Sequence, residues 1–249
     1  MEHICIIPLR LPLVKRGDDI SNLIAEAIKE QNVEIENGDV IVIAHTIISR
    51  AEGNQYSLLE IDPSPIAEFI ARKTGKDPSL VELILQESQE VLKVKNNIII
   101  SKNKQGWICA NAAVDQSNAE KNCAISLPSD PDKSAKEIGT QLQRKYKKNI
   151  SVVISDTHGR ALRRGAINIA IGAYNFAVID DARGRKDVFG KTLKTTIIAA
   201  ADEVCAAAEL VMGQADENIP VVIIKGYEQK SQVSSIKELQ YKDEQRLFQ

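Results

Sequence analysis

Between Asn149 and Arg160 the chain reads Asn-Ile-Ser-Val-Val-Ile-Ser-Asp-Thr-His-Gly-Arg, and this stretch constrains the fold more than any other. Val152, Val153 and Ile154, flanked by Ser151 and Ser155, are a short apolar run of β-branched side chains, which predicts a buried strand. The run breaks abruptly at Asp156. A carboxylate beside the Thr157 hydroxyl at the mouth of a strand offers oxygen ligands to a hard divalent ion. Gly159 allows the backbone to turn there, and Arg160, Arg163 and Arg164 bring positive charge. Metal ligand, turn and arginines together suggest phosphate chemistry. Asp-x-x-Gly is equally ordinary turn chemistry, so the stretch alone leaves a plain surface turn open.

The rest of the chain places this strand among others. Ile4–Ile7 predicts a short strand ending at Pro8, followed by Leu11–Val14 and a loop through Gly17. A helix is expected from Asp18 and Asp19 to about Gln31, its acidic start suiting the helix dipole. Val40–Ala44 reads as a buried strand continuing into the segment 45–53. Ser64-Pro65 caps a helix that stops at Gly75, with Ile66, Phe69 and Ile70 on one face. Asp77-Pro78 opens another helix that buries Leu80, Leu83 and Ile84. Strands are expected near 91–95, 97–101 and 107–110, and a polar helix from about Asp132 to Lys147. Ala166–Ile171 and Phe176–Ile179 read as strands. The Ala-rich segment from Thr192 to Met212 reads as the longest helix, buried in the core or an interface, with Gly213 as its stop. Pro220–Ile224 is a last strand, and a charged helix or tail follows Lys230. Strands succeeding one another in both halves imply α+β, with mixed, largely antiparallel sheets and packed helices.

Composition narrows the function classes. The 249 residues are 43% hydrophobic and 27% charged, enough for a full core in a single unit spanning 1–249. A net charge of -2 gives no nucleic-acid footprint, and 4% aromatic residues leave little for a base-stacking surface. Cys5, Cys109, Cys123 and Cys205 form no C-x-x-C pair, so reduced thiols are expected rather than a zinc site or disulfides. Met1-Glu-His-Ile is no signal peptide and no run is long enough for a membrane span, so a cytoplasmic protein is expected.

Familiar nucleotide motifs are missing. No G-x-G-x-x-G follows a strand. Gly184-Arg-Lys-Asp-Val-Phe-Gly190-Lys191-Thr192 approaches a P-loop but has one residue too many between its glycines, which spoils the anion nest. Three other oxygen-rich stretches stand beside the Asp-Thr pair. They are Asn111–Asn118 with Asp115 and Asn118, Met212–Ile219 with Gln214, Asp216 and Glu217, and His45-Thr46 with Arg50. Each reads in isolation as a polar loop or helix end.

Taken together, the strings Leu11-Pro-Leu-Val14, Gly38–Gly53, Asn111–Asn118, Ser155-Asp-Thr-His-Gly-Arg160, Arg163-Arg-Gly165, Gly184–Gly190 and Leu210-Val-Met-Gly213 occur in the order of one family. The chain resembles the gamma-glutamyl ligases that complete the deazaflavin coenzyme F-420, in their stand-alone form without the fused flavin-reductase-like domain. That resemblance implies an intertwined homodimer with a two-lobed gamma-glutamyl-ligase-type α+β fold. The implied enzyme joins L-glutamate to the carboxylate of the coenzyme precursor at the expense of GTP, with two divalent cations, manganese or magnesium, and potassium as a further ion. It implies that Asp115 and Asp156 hold one metal and Thr157 and Gln214 the other. Leu11, Pro12, Leu13, Val14, His45, Thr46, Arg50, Asn118 and the loop Met212, Gly213, Gln214, Ala215, Asp216, Glu217, Asn218 and Ile219 would bind the nucleotide. Asp156, Arg160 and Arg164 are the expected catalytic groups, from a pool that includes Arg163, Arg183 and Arg185. The family usually has serine in place of His45, lysine in place of Arg50 and asparagine in place of His158. The Arg50 change is not neutral at a phosphate, because a planar fork replaces a point charge. A related amide ligase with another carboxylate acceptor, or a non-catalytic binding homologue, therefore stays open.

Overall fold

Two adjacent strands run parallel at the centre of the molecule, one of them four residues longer at its carboxyl end. A computed structural model describes residues 3–229 and 233–245. Its strands are β1 (Cys5–Leu9), β2 (Val40–Ala44), β3 (Gln55–Ser57), β4 (Ser88–Lys95), β5 (Ile98–Asn103), β6 (Ile108–Ala110), β7 (Cys123–Ile125), β8 (Ser151–Gly159), β9 (Ala166–Tyr174), β10 (Asp180–Asp181), β11 (Ile197–Ile198) and β12 (Val221–Lys225). The helices among the described residues are α1 (Ile20–Glu30), α2 (His45–Glu52), α3 (Pro65–Thr74), α4 (Pro78–Gln86), α5 (Pro131–Tyr146) and α6 (Ala200–Met212). The fold is α+β. Its central five-stranded sheet runs β1-β12-β2-β8-β9, and only the β2–β8 pairing in it is parallel.

The β-branched runs behave as expected. Val40–Ile43, Val152–Ile154 and Val221–Ile224 are buried on both faces, which removes the polar/apolar alternation of a half-exposed strand. One face packs against α1 and α5 through Ile41, Ile43, Val152, Ile154, Ile24, Ile138 and Leu142. Val40, Val42, Val153, Val222 and Ile224 face α6 through Val204, Cys205 and Ala208. A smaller cluster joins α3 and α4 to β5, around Val81, Leu83, Ile84 and Ile99. Asp19, Ser64 and Asp77 cap α1, α3 and α4 by accepting from backbone N–H groups of the first turn, each worth about 1 kcal/mol.

The structure corrects several sequence expectations. β2 does not continue past Ala44: His45–Glu52 is a helix ending at Gly53. The β-branched Thr46, Ile47 and Ile48 favour strand locally, but the chain must leave the sheet there and tertiary packing overrides propensity. Asp156 and Thr157 lie within β8 rather than in a turn, and Gly159 still pairs with Ala166. The reversal comes afterwards, over 160–165. β1 runs through Pro8 because it is an edge strand, where a missing N–H breaks no ladder. The buried face of α3 is Ala67 and Ala71, while Ile66 and Phe69 are exposed. Phe176–Ile179 is irregular, with Phe176, Ala177 and Val178 buried.

The last helix begins at Ala200, not Thr192, since Thr195, Thr196, Ile197 and Ile198 are poor helix formers and Ile197–Ile198 pairs with β10. After Lys230 the described residues form only short turns at Ile236–Leu239 and Asp243–Gln245. Residues 230–232 and 246–249 of that expected tail, like Met1 and Glu2, lie outside the described residues. No helix of the described residues is long and apolar enough to cross a membrane.

One irregularity positions the site. β9 opposes Ile154 with Gly172 but Ser155 with Ala170, so Ile171 is a bulge. Beside it, a Cβ on Gly172 would come within 2.6 Å of the Pro131 carbonyl carbon at the start of α5. Glycine allows that close approach.

Candidate active site

Where the pairing of β2 with β8 ends, a cavity of about 630 Å³ opens, lined by six separate segments of the chain. Pro12, Leu13 and Val14 come from the loop after β1; Ala44, His45, Thr46, Ile47 and Arg50 from the β2–α2 junction. Asp115, Ser117 and Asn118 come from the loop after β6, Asp156 and Thr157 from β8, Asn168 from β9, and residues 212–220 from the end of α6 and the segment after it. The groups that sequence reading picked out as isolated polar loops thus converge. Leu11 does not reach the cavity; it is buried in the core beneath it. Arg160 and Arg164 also lie outside the lining: the Arg160 guanidinium folds back to donate to the carbonyls of Gly165 and Arg164 at 3.1 and 2.7 Å. Arg183 forks onto Asp181, and Arg185 pairs with Asp180. The near-P-loop at 184–192 is a protruding loop with Val188 and Phe189 exposed, away from the cavity.

The β2–α2 junction is built to receive negative charge. Ala44 gives α2 no side-chain cap, so the first N–H groups of the helix have no intrahelical partner and sit at the cavity wall, where anions are favoured. Arg50, near the end of the same helix, donates to the Asn118 carbonyl and to Gln55 Oε1. It thereby ties α2 to the 111–118 loop. That loop is strained: Asn111, Ala112 and Ala113 take φ of 53°, 53° and 60° in succession, left-handed backbone that costs alanine about 1–2 kcal/mol per residue. Asp115 is fixed by its own neighbour, its oxygens accepting from the Ser117 N–H at 2.8 Å and the Ser117 hydroxyl at 2.5 Å.

Asp156 Oδ1 lies 3.2 Å from His45 Nε2. Nearby, burial first and the Asp156 charge second push the Cys109 thiol up to about 12, so it stays protonated and unreactive. Next to Asp156 on β8, the Thr157 hydroxyl is 2.9 Å from Asn168 Oδ1 and 3.0 Å from Gln214 Oε1. Gly213, at φ +68°, leaves room for the Glu217 carboxylate, which a Cβ there would meet at 2.0 Å. The Ala215 N–H holds the Glu217 carboxyl below the usual range.

Four carboxylates (Asp115, Asp156, Asp216 and Glu217) line the cavity against one guanidinium, Arg50. A polyphosphate entering this wall needs accompanying cations. Among the described residues no three of His, Cys, Asp and Glu gather into a closed metal cage. The donors present are instead oxygens: the Asp115 and Asp156 carboxylates, the Thr157 hydroxyl and the Gln214 amide carbonyl. This open, all-oxygen set fits a hard divalent ion that keeps water and phosphate oxygens as its remaining ligands.

Sequence reading missed Asn168 and Glu209, which hold this wall together. The legible signal was Asn168 itself, a polar residue between Ile167 and Ile169 in an apolar strand, 4% exposed.

Comparison with known proteins bears on this site. A family model described as F420-0:Gamma-glutamyl ligase matches residues 8–226. The Coenzyme F420:L-glutamate ligase of Methanothermobacter thermautotrophicus is 51% identical over 217 residues, covering 87% of this chain and 86% of the relative. That of Methanocaldococcus jannaschii is 47% identical over 223 residues, with 89% and 87% covered. A Methanococcus maripaludis relative of the same name is 41% identical over 243 residues, spanning 98% and 96% of the two chains.

Proposed function

Because the chain belongs to the F420-0:gamma-glutamyl ligase family, we propose that it joins L-glutamate through an amide bond to the carboxylate of the deazaflavin coenzyme precursor F420-0, using GTP. The observation that supports this most is the charge layout of the cavity: an uncapped helix N-terminus and Arg50 line it together with fixed oxygen donors. Such a layout suits a nucleoside triphosphate whose charge is shared between backbone N–H groups, one guanidinium and divalent cations.

A carboxylate is a poor electrophile and must be activated. In the proposed reaction an acceptor carboxylate oxygen attacks the γ-phosphorus, the bond to the bridging β-phosphate oxygen breaks, and GDP leaves. The neutral glutamate amine then attacks the acyl carbon, the carbon–oxygen bond to the phosphoryl group breaks, phosphate departs with that oxygen, and the nitrogen gives up a proton to solvent as the amide forms. Two divalent cations, manganese or magnesium, held by Asp115 with Asp156 and by Thr157 with Gln214, would neutralise charge on the transferring phosphoryl group. The α2 N-terminus would bind phosphate oxygens, and Arg50 would orient them while bracing the 111–118 loop. His45 fixes the Asp156 carboxylate, and the buried Asn168 holds the Thr157 hydroxyl from behind, its own amide nitrogen donating to Met212 Sδ. Arg160, Arg163 and Arg164, on the loop after β8, remain a reserve of positive charge for the acceptor's phosphate or the incoming glutamate. A homodimer in the cytoplasm belongs to the same proposal.

Mass spectrometry tests the reaction. Purified protein with F420-0, L-glutamate, GTP and Mn²⁺ should yield a product heavier by one or more glutamyl units, lost when GTP or metal is left out. Metal-dependent nucleotide binding without product would move the assignment to a sister ligase with another acceptor. Loss of nucleotide binding as well would favour the non-catalytic homologue.

A further inference from the structure

An amide side chain offers a cation its oxygen only if something else holds its nitrogen. Gln214 is exposed at the cavity rim, where a free amide would sample both orientations. Here its Nε2 donates to Glu209 Oε1 at 2.7 Å and to Asn168 Oδ1 at 3.2 Å. Turning the amide over would set its oxygen against two acceptors, so the network itself chooses the orientation. Oε1 is left facing the Thr157 hydroxyl, 3.0 Å away.

The same pair controls Thr157. That hydroxyl has one proton for two acceptors, the buried Asn168 Oδ1 at 2.9 Å and Gln214 Oε1 at 3.0 Å; a cation between the two ligand oxygens would turn the proton to Asn168 and take up the lone pairs. Glu209 in turn is anchored: its Oε2 accepts from the backbone N–H of Asn168 at 2.8 Å. One carboxylate on α6 therefore clamps β9 with one oxygen and sets the polarity of Gln214 with the other. A purely structural tie between α6 and β9 would need only the first.

We propose that Glu209 and Asn168 are positioning residues that turn the oxygens of Gln214 and Thr157 toward a common cation. The proposal rests on the metal reading of the site given above. It adds that the polarity of hydrogen bonds behind the ligands, not only the ligands, sets the affinity of this position. Outer partners of metal ligands commonly govern affinity in this way.

The variant Glu209→Gln separates positioning from tethering. Its amide oxygen still accepts from the Asn168 N–H, so the α6–β9 tie persists, while its NH₂ now faces Gln214 and drives that amide to flip. Asn168→Leu is the second variant, close in size and set beside Met212, and it removes the proton acceptor of Thr157. Binding of Mn²⁺ is read directly by the loss of its free electron paramagnetic resonance signal, with a non-hydrolysable GTP analogue present and folding monitored by circular dichroism. We expect each folded variant to bind Mn²⁺ about tenfold more weakly than wild type, and turnover to recover as Mn²⁺ is raised. Glu203→Gln, exposed on the same helix, should leave the affinity unchanged. Wild-type affinity in both folded variants would overturn the positioning role while leaving the metal reading intact. Absence of Mn²⁺ binding by wild type itself would overturn both.

Discussion

His45 Nε2 stands 3.2 Å from Asp156 Oδ1, linking the first residue of α2 to the carboxylate at the end of the parallel strand pair. Because a carboxylate accepts, Nε2 carries the proton and Nδ1 accepts from the Ser49 hydroxyl at 3.3 Å. The ring is 4% exposed, so truncation leaves both partners without it and opens a void. His45→Ala should lower stability by about 1–3 kcal/mol, measured as a shift of the urea midpoint at unchanged slope. His45→Gln, which can still donate to Asp156, should recover part of the loss; equal effects of the two changes would argue against the bond.

Asp156 is half-buried and its role is local, so Asp156→Ala should abolish glutamyl transfer while leaving the circular dichroism spectrum intact. Retained metal-dependent turnover in that variant would sink the assignment of Asp156 to the proposed chemistry.

Arg50 reaches two acceptors on different segments, the Asn118 carbonyl and Gln55 Oε1. A lysine ammonium keeps the charge but not the planar fork. Arg50→Lys should raise the KM for nucleotide about tenfold, equivalent to one lost charged hydrogen bond of about 1.5 kcal/mol. Steady-state kinetics with varied GTP reads this, and an unchanged KM would place the nucleotide elsewhere.

Gly172 faces the first residue of α5 so closely that a Cβ would sit 2.6–2.7 Å from the Pro131 backbone. Backbone cannot swing aside as a long side chain can. Gly172→Ala should therefore cost about 1–3 kcal/mol, seen as a lower thermal midpoint, although alanine is the stiffer residue in the unfolded chain.

Burial raises the Asp202 carboxyl above its ordinary 3.8, only partly offset by the hydrogen bond it accepts from the Ala170 N–H. The folded protein thus holds that proton to higher pH than the unfolded chain does. Stability contributed by this group is greatest below 3.8 and falls as pH rises through the raised value. Asp202→Asn keeps an acceptor for Ala170 without the buried charge. Its stability relative to wild type should grow with pH across that window and then level off, as followed by urea unfolding at a series of pH values. A difference independent of pH would contradict the burial.

Much of the fold was legible because burial on both faces writes itself as uninterrupted β-branched runs, as at Val40–Ile43 and Val152–Ile154. Caps were legible for the same local reason: Asp19, Ser64 and Asp77 satisfy N–H groups three residues away or less. The failures lie where distant contacts decide. Thr46-Ile47-Ile48 is helical because the chain turns out of the sheet at the carboxyl end of β2, which no local preference records. The cavity was found through the recurrence of polar strings in a known order; their spacing alone pointed to loops. Glu209 was invisible, since a glutamate on a helix is ordinary until Asn168 and Gln214 are folded against it.

The surplus residue in β9 has a consequence for how such a chain tolerates change. If the ladder ran on without that shift from Tyr174–Gly172, Ile169 would stand opposite Thr157, and Asn168 would slide to His158. Every amino acid would be the same, yet the two oxygens that meet across the strands would be out of step. In this stretch the count of residues is itself information, as a reading frame is in a gene. An Ile171→Val change, which keeps the count and most of the buried side chain, should be tolerated, and a single-residue deletion there should not.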